Sequence, residues 1–163
     1  LKKIPLFILL SLITALFLSG CSSDSNAAQP DLFQYKDSYI GDNSAVVNTI
    51  IHLQGHEHFT GLKLQTKEEP YGITVNYNWT ESELNDKETA INNASYLFAL
   101  IQNADWVTFN FEMIDGQNEY KITREDLQAG FDKDLREIDS EDQLKEQIKI
   151  YLEDEKLADE LLR

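Results

Sequence analysis

Ile73-Thr74-Val75-Asn76-Tyr77-Asn78-Trp79 alternates apolar and polar side chains without a break. Successive side chains of an extended strand point to opposite faces. This run therefore puts Ile73, Val75, Tyr77 and Trp79 on one side and Thr74, Asn76 and Asn78 on the other. Such a strand rests on a core with one face and meets water with the other. Upstream, Glu68-Glu69-Pro70-Tyr71-Gly72 is a turn: Pro70 fixes φ and Gly72 permits a left-handed backbone. Before it, Leu62 and Leu64 share one side of a partner strand, which completes a hairpin.

A second hairpin repeats the pattern. Val107, Phe109, Phe111 and Met113 alternate with Thr108, Asn110 and Glu112, Asp115-Gly116 is a tight-turn signal, and Tyr120 and Ile122 return. Around the hairpins the period changes to that of a helix. Asp42, Asn43 and Ser44 start a helix carrying Val46, Val47, Ile50 and Leu53, with Gly55 to stop it. Thr80 and Glu83 have capping-box spacing before Ile91, Ala94, Leu97, Phe98 and Ile101. Thr123 and Asp126 cap a short helix through Leu127 that stops at Gly130. Ser140 and Gln143 cap the last helix, whose stripe is Leu144, Ile148, Tyr151 and Leu152. The expected fold is α+β: a four-stranded antiparallel sheet from two hairpins, with helices packed on one face. The order of the hairpins in the sheet stays open.

The beginning of the chain reads differently. Lys2 and Lys3 precede an apolar run from Ile4 to Leu18, which closes on Leu18-Ser19-Gly20-Cys21. A basic start, a short apolar stretch and small residues before a cut make a secretory signal. The run is short beside the roughly 20 apolar residues that span a bilayer. Leu-Ser-Gly-Cys resembles the lipobox of bacterial lipoproteins. The resemblance implies cleavage before Cys21 and a diacylglycerol thioether on it, with palmitate-type acyl chains. An ordinary secretory signal followed by an unrelated Cys is the alternative. Residues 1–20 are thus expected to be signal peptide, residues 21–30 a polar, flexible tether, and residues 31–163 one extracytoplasmic domain. Such a coil holds the domain roughly 15–20 Å from lipid. Acyl chains at Cys21 give a membrane anchor, so the expected location is the extracytoplasmic face of the cell membrane. Cys21 is the only Cys, which excludes an internal disulfide.

Without Lys2 and Lys3, the 14 basic residues become 12 against 29 acids, a formal charge of −17. That balance excludes nucleic acid, which is held by neutralising phosphates. It permits cations and basic protein faces as partners, and it also serves plain solubility.

Two blocks carry a second resemblance. Leu32-Phe33-Gln34-Tyr35-Lys36 running into Tyr39-Ile40-Gly41-Asp42-Asn43-Ser44, together with Glu69-Pro70-Tyr71-Gly72-Ile73, is similar to a family of uncharacterised extracellular domains on Gram-positive lipoproteins. Its domain also looks like one on the outer part of some membrane regulatory proteins. The likeness covers about residues 31 to 125. It implies an extracytoplasmic binding or regulatory role and no catalytic residues. Read physically, Phe33, Tyr35 and Tyr39 either lay their rings on the core or, as loop aromatics, form a recognition surface.

Motifs for chemistry are sparse. His52 falls near the end of the first helix, and His56, Glu57 and His58 follow in a Gly-flanked loop. Two loop His and a carboxylate are donors that zinc accepts. The spacing is not that of the helical His-Glu-x-x-His signature. The alternative is a polar surface loop. There is no Gly-x-Ser-x-Gly elbow and no phosphate-cradling Gly loop. Carboxylate pairs such as Glu68-Glu69 are what so acidic a chain supplies by chance. Trp79 reads as facing the core, while Trp106 lies opposite the apolar face. The leading expectation is a non-enzymatic interaction module without a cofactor. It takes an envelope protein or small ligand at a surface that includes Tyr35, Tyr39, Asn76, Asn78 and Asn110. The alternatives are a zinc-binding lipoprotein using His52, His56 and His58, and a cell-envelope hydrolase.

Overall fold

The computed structural model describes residues 31–162. The expected leader, Cys21 and the tether lie outside the described residues. The elements are helix α1 (Asn43–Ile50), strands β1 (Phe59–Gln65) and β2 (Gly72–Asn78), helix α2 (Asp86–Leu100), strands β3 (Trp106–Met113) and β4 (Gly116–Thr123), and helices α3 (Arg124–Gln128), α4 (Glu141–Glu153) and α5 (Glu155–Leu161). Single 3-10 turns occupy Leu32–Tyr35, His56–His58 and Leu135–Glu137.

The fold is α+β, and the four strands lie in chain order, β1-β2-β3-β4. Both outer pairs are antiparallel, as two hairpins require, but the central pair β2–β3 is parallel. The sheet is therefore mixed, which corrects the all-antiparallel expectation. Alternation reports which face a side chain takes and says nothing of strand direction. Direction comes from the connection: α2 carries the chain back to the end of the sheet where β2 began, so β3 starts alongside and runs the same way. The register pairs Leu62 with Val75 and Leu64 with Ile73, and then Ile73 with Val107 and Val107 with Ile122.

Ile73, Val75, Tyr77, Val107, Phe109, Phe111 and Ile122 are buried and belong to one core with Leu97, Phe98, Leu144, Ile148 and Tyr151 of the helices. Tyr77 and Phe111 stack with ring centroids 5.2 Å apart, and Trp79 meets Phe111 edge-on at 4.8 Å. Thr74, Asn76 and Asn110, on the opposite side, are half-buried. That opposite side is called the outer face below.

Helix ends follow local chemistry. Asp42 caps α1 by accepting from Ala45 N, and Thr123 and Ser140 cap α3 and α4 as expected. Four expectations about these elements need correction. The capping box at Thr80 and Glu83 does not form: α2 starts later, and Asn85 is its cap, accepting from Glu88 N at 3.0 Å. Thr80 instead donates to Asn78 Oδ1 at 2.7 Å. The helix is also buried on nearly every side from Thr89 to Leu100, with only Asn92 half-exposed, so it has no single stripe. Nor is α4 the last helix, because Asp154 both ends it and caps α5. In the second hairpin Met113 pairs with Gly116, so Ile114 and Asp115 form the two-residue loop, one position earlier than the Asp115-Gly116 reading.

Candidate functional site

The register sets the outer face out in cross-strand rows. One row is Gln65, Gly72, Trp106 and Thr123. The next is Lys63, Thr74, Thr108 and Lys121, and the third is Gly61, Asn76, Asn110 and Glu119. In the third row Asn110 Nδ2 donates to Asn76 Oδ1 at 2.9 Å, and Asn76 Nδ2 donates to Gly61 O at 3.3 Å. Thr60 Oγ1 donates to Asn76 O at 3.1 Å. This leaves Asn110 Oδ1 buried with no hydrogen-bond partner among the described residues. A shallow cavity of about 310 Å³ adjoins at Asn78 and Thr80, and one of about 480 Å³ is lined by Thr60, Asn76, Asn110 and Gln117. A buried carbonyl oxygen without a donor is uncommon and asks for an explanation.

The first row is dominated by Trp106. Its indole lies flat on Gly72, where an added Cβ would stand 1.9 Å from Trp106 Cε2. Gly72 does not have a positive φ, so the expected left-handed backbone is absent and its role is to make room for the ring. Trp106 Nε1 donates to Pro70 O at 3.1 Å, across from the cis Glu69-Pro70 peptide. Lys121 Nζ stands 5.1 Å from the ring centroid, a cation–π arrangement.

Beside Trp106, Arg124 at the start of α3 points under the sheet end. Its Nε donates to Ala104 O at 2.8 Å, Nη1 to Phe98 O at 2.7 Å and Nη2 to Ile101 O at 2.6 Å. Phe98 O belongs to the last turn of α2, where the helix dipole is negative; Ile101 O is that of its cap residue and also accepts from Ala104 N at 3.4 Å, and Ala104 O lies in the connection to β3. Burial, then the nearby Arg136, lowers the Arg124 pKa to about 10. Arg136 is held by Asp134 in a two-pronged pair, Nε to Oδ1 at 3.2 Å and Nη2 to Oδ2 at 3.0 Å. A cavity of about 500 Å³ opens here, lined by Pro70, Trp106, Lys121, Arg124, Glu125 and Arg136 among others.

The expected site residues are thus only partly brought together. Asn76 and Asn110 bond to each other. Asn78 is exposed at the rim, its Oδ1 accepting from Thr80 N and Oγ1. Tyr35 and Tyr39 lie apart from this face: their segment is fastened to the end of α2 by the Ser38–Ile101 bridge and by Ile40 N donating to Asn103 Oδ1 at 2.8 Å. Tyr35 packs on the core and Tyr39 is 57% exposed. Of the histidines, His52 and His56 line one cavity of about 300 Å³, and His58 lines another. His52 Nδ1 is 2.7 Å from Asn48 O, His56 Nδ1 is 3.2 Å from Leu53 O, and the His58 ring meets Trp79 edge-on. Glu57 comes within 3.5 Å of His56 and 3.8 Å of His58. Among the described residues no group of three or more His, Cys, Asp or Glu is placed to hold a metal ion. Among them also, no helix is long and apolar enough to cross a membrane.

Lys121 and Arg124 were not singled out by the sequence reading. Lys121 shares the outward parity of Glu119 and Thr123, so its face was legible, but the Trp106 ring beneath it depends on cross-strand register.

No curated protein and no solved structure matches the chain. Residues 32–123, from the first 3-10 turn to the end of β4, match the family described as "Domain of unknown function (DUF4825)". That match spans more than half of the chain, and the protein belongs to this family.

Proposed function

We propose that the protein is a lipid-anchored binding module at the extracytoplasmic face of the cell membrane, taking a protein or small ligand on the outer face of its sheet. The leader and the Leu18-Ser19-Gly20-Cys21 pattern support the anchor. The observation that carries the binding role is the Asn76–Asn110 pair: a buried, unpartnered Asn110 Oδ1 beside a cavity. A donor from a bound molecule would satisfy it. The strands supply a rigid backbone for the pair, which favours a preformed surface.

Membrane fractionation of the wild type and Cys21→Ser tests the anchor. The wild type is expected in the membrane fraction, released by detergent, with a mature terminus at Cys21 that carries acyl chains by mass spectrometry. The variant is expected to leave that fraction. An uncut leader, or a terminus at Cys21 without acyl chains, contradicts the reading.

A further inference from the structure

We infer that the Trp106 end of the outer face is a binding site for a small planar organic anion, its charged edge at Lys121 and Arg124 and its flat body against Trp106 and Pro70. The inference rests on the proposed outer-face binding role and names the chemistry of the ligand.

The argument begins with where the cations are. Acids outnumber bases 29 to 14, so an unpaired cation is the unexpected case. Lys36, Lys87, Arg136, Lys145, Lys149 and Lys156 each have a carboxylate within 4.0 Å. Among the described residues, Lys63, Lys67, Lys121, Arg124 and Lys133 have no such ion pair. Four of these five belong to one end of the sheet. Lys63 and Lys121 share a cross-strand row, and Lys67 lies in the β1–β2 connection, which also holds Pro70. Arg124 lines the cavity beside Trp106, and Lys133 follows in the connection tied back by Gln128 Nε2 donating to its carbonyl at 2.9 Å. Three strand spacings separate Lys63 from Lys121, about 14 Å.

Two of the carboxylates at this end are engaged, while Glu68 and Glu69 are exposed in the turn between Lys67 and Pro70. Asp105 Oδ2 accepts from Tyr71 N at 2.6 Å, and Asp134 holds Arg136. Glu125 is exposed at the rim. Arg124 meets the Phe98, Ile101 and Ala104 carbonyls through one N–H on each of its three nitrogens, and a guanidinium has five. The lining sets three cations, Lys121, Arg124 and Arg136, against three carboxylates, Asp105, Glu125 and Asp134, so the cleft is locally balanced on a chain whose net charge is strongly negative. Trp106 adds a flat apolar surface that its Pro70 bond and Gly72 hold in place; one face lies on Gly72 and the Lys121 ammonium covers the other, so a planar ligand takes that second face as the exposed Lys121 side chain swings to its charged edge. The cavity, about 500 Å³, is of the size that accepts small molecules.

Calorimetric titration of the full-length protein in a neutral detergent tests this, with benzene-1,3,5-tricarboxylate, the uncharged benzene-1,3,5-tricarboxamide, and inorganic phosphate as probes. The tricarboxylate is expected to bind one to one, at least tenfold more tightly than either other probe. Lys121→Glu and Trp106→Ala are each expected to weaken it at least tenfold. Lys63→Glu, a surface change that leaves the core untouched, is expected to weaken it about threefold, and Lys145→Glu on α4 not at all. Absence of saturable binding overturns the inference. So does equal affinity for the tricarboxamide or phosphate, or equal loss in Lys145→Glu. The outer-face role is decided separately by crosslinking from Asn110, so its failure and the failure of the anion chemistry give different results.

Discussion

Arg124 is a cation that stabilises a helix end from another element. Its three bonds to Phe98, Ile101 and Ala104 oxygens tie the last turn of α2 to the connection that follows it, and its guanidinium lies 4.9 Å from the Phe98 ring centroid. Replacing it by Ala strands those acceptors inside the protein. Arg124→Ala is expected to lose on the order of 3 kcal/mol in denaturant unfolding, and Arg124→Lys most of that, because an ammonium cannot reproduce the fork. Gly72 is the second residue whose role lies in what it omits. Gly72→Ala is expected to cost about 2 kcal/mol, since its methyl overlaps the Trp106 indole. In a Trp106→Ala background the same change should cost little, and a double-mutant cycle measures the difference. Neither role was readable beforehand. Arg124 looks like any charged residue at a strand end, and Gly72 sits in a turn-like sequence where a left-handed backbone was the natural reading.

At the scale of elements, legibility depended on whether the signal was local. All four strands were visible because a sheet with one wet face writes a period of two into the sequence. The caps at Asp42, Thr123 and Ser140 were visible because each works within its own turn. The parallel pairing of β2 with β3 was not, since it is set by the path of α2 and no residue pattern records it. The start of α2 was misplaced because Thr80 has the right spacing but is held by Asn78, so the chain turns before the helix begins. Helix stability should therefore respond to Asn85 and not to Thr80. Asn85→Ala is expected to cost about 1 kcal/mol and Thr80→Ala only a few tenths, by thermal unfolding followed by circular dichroism. Of the candidate site, the outward set Thr74, Asn76, Thr108 and Asn110 followed from alternation. The placing of Lys121 over Trp106, in one row with Lys63, did not, because it needs the register of three neighbouring pairs.

Over the whole molecule, the segment matched to the family and the helices beyond it share one core. Leu127, Leu135, Leu144, Ile148 and Tyr151 lie past residue 123 and are buried with α2 and the sheet. Buried phenols give this core a pH signature. Burial raises Tyr77, Tyr96 and Tyr120 above the usual tyrosine pKa of 10.0, and Tyr151 is pushed up to about 12 by burial, then by Asp126 and Asp154. Each phenol ionises more readily in the unfolded chain, so above pH 10 the unfolded state holds fewer protons and gains. Stability is expected to be unaffected by these groups below pH 10 and to fall progressively through pH 12. The phenolate absorbance of these four tyrosines should appear together with loss of circular dichroism. A full phenolate signal from a still-folded protein would contradict the burial described here.

The outer face as the working surface is tested most directly by site-specific photocrosslinking in intact cells, from Asn110 on that face and from Glu146 on the far side of α4. A discrete adduct from Asn110 that is absent from Glu146, and that Asn76→Ala diminishes, is the expected result. Matching diffuse patterns from both positions, or a discrete adduct from Glu146 alone, would contradict it.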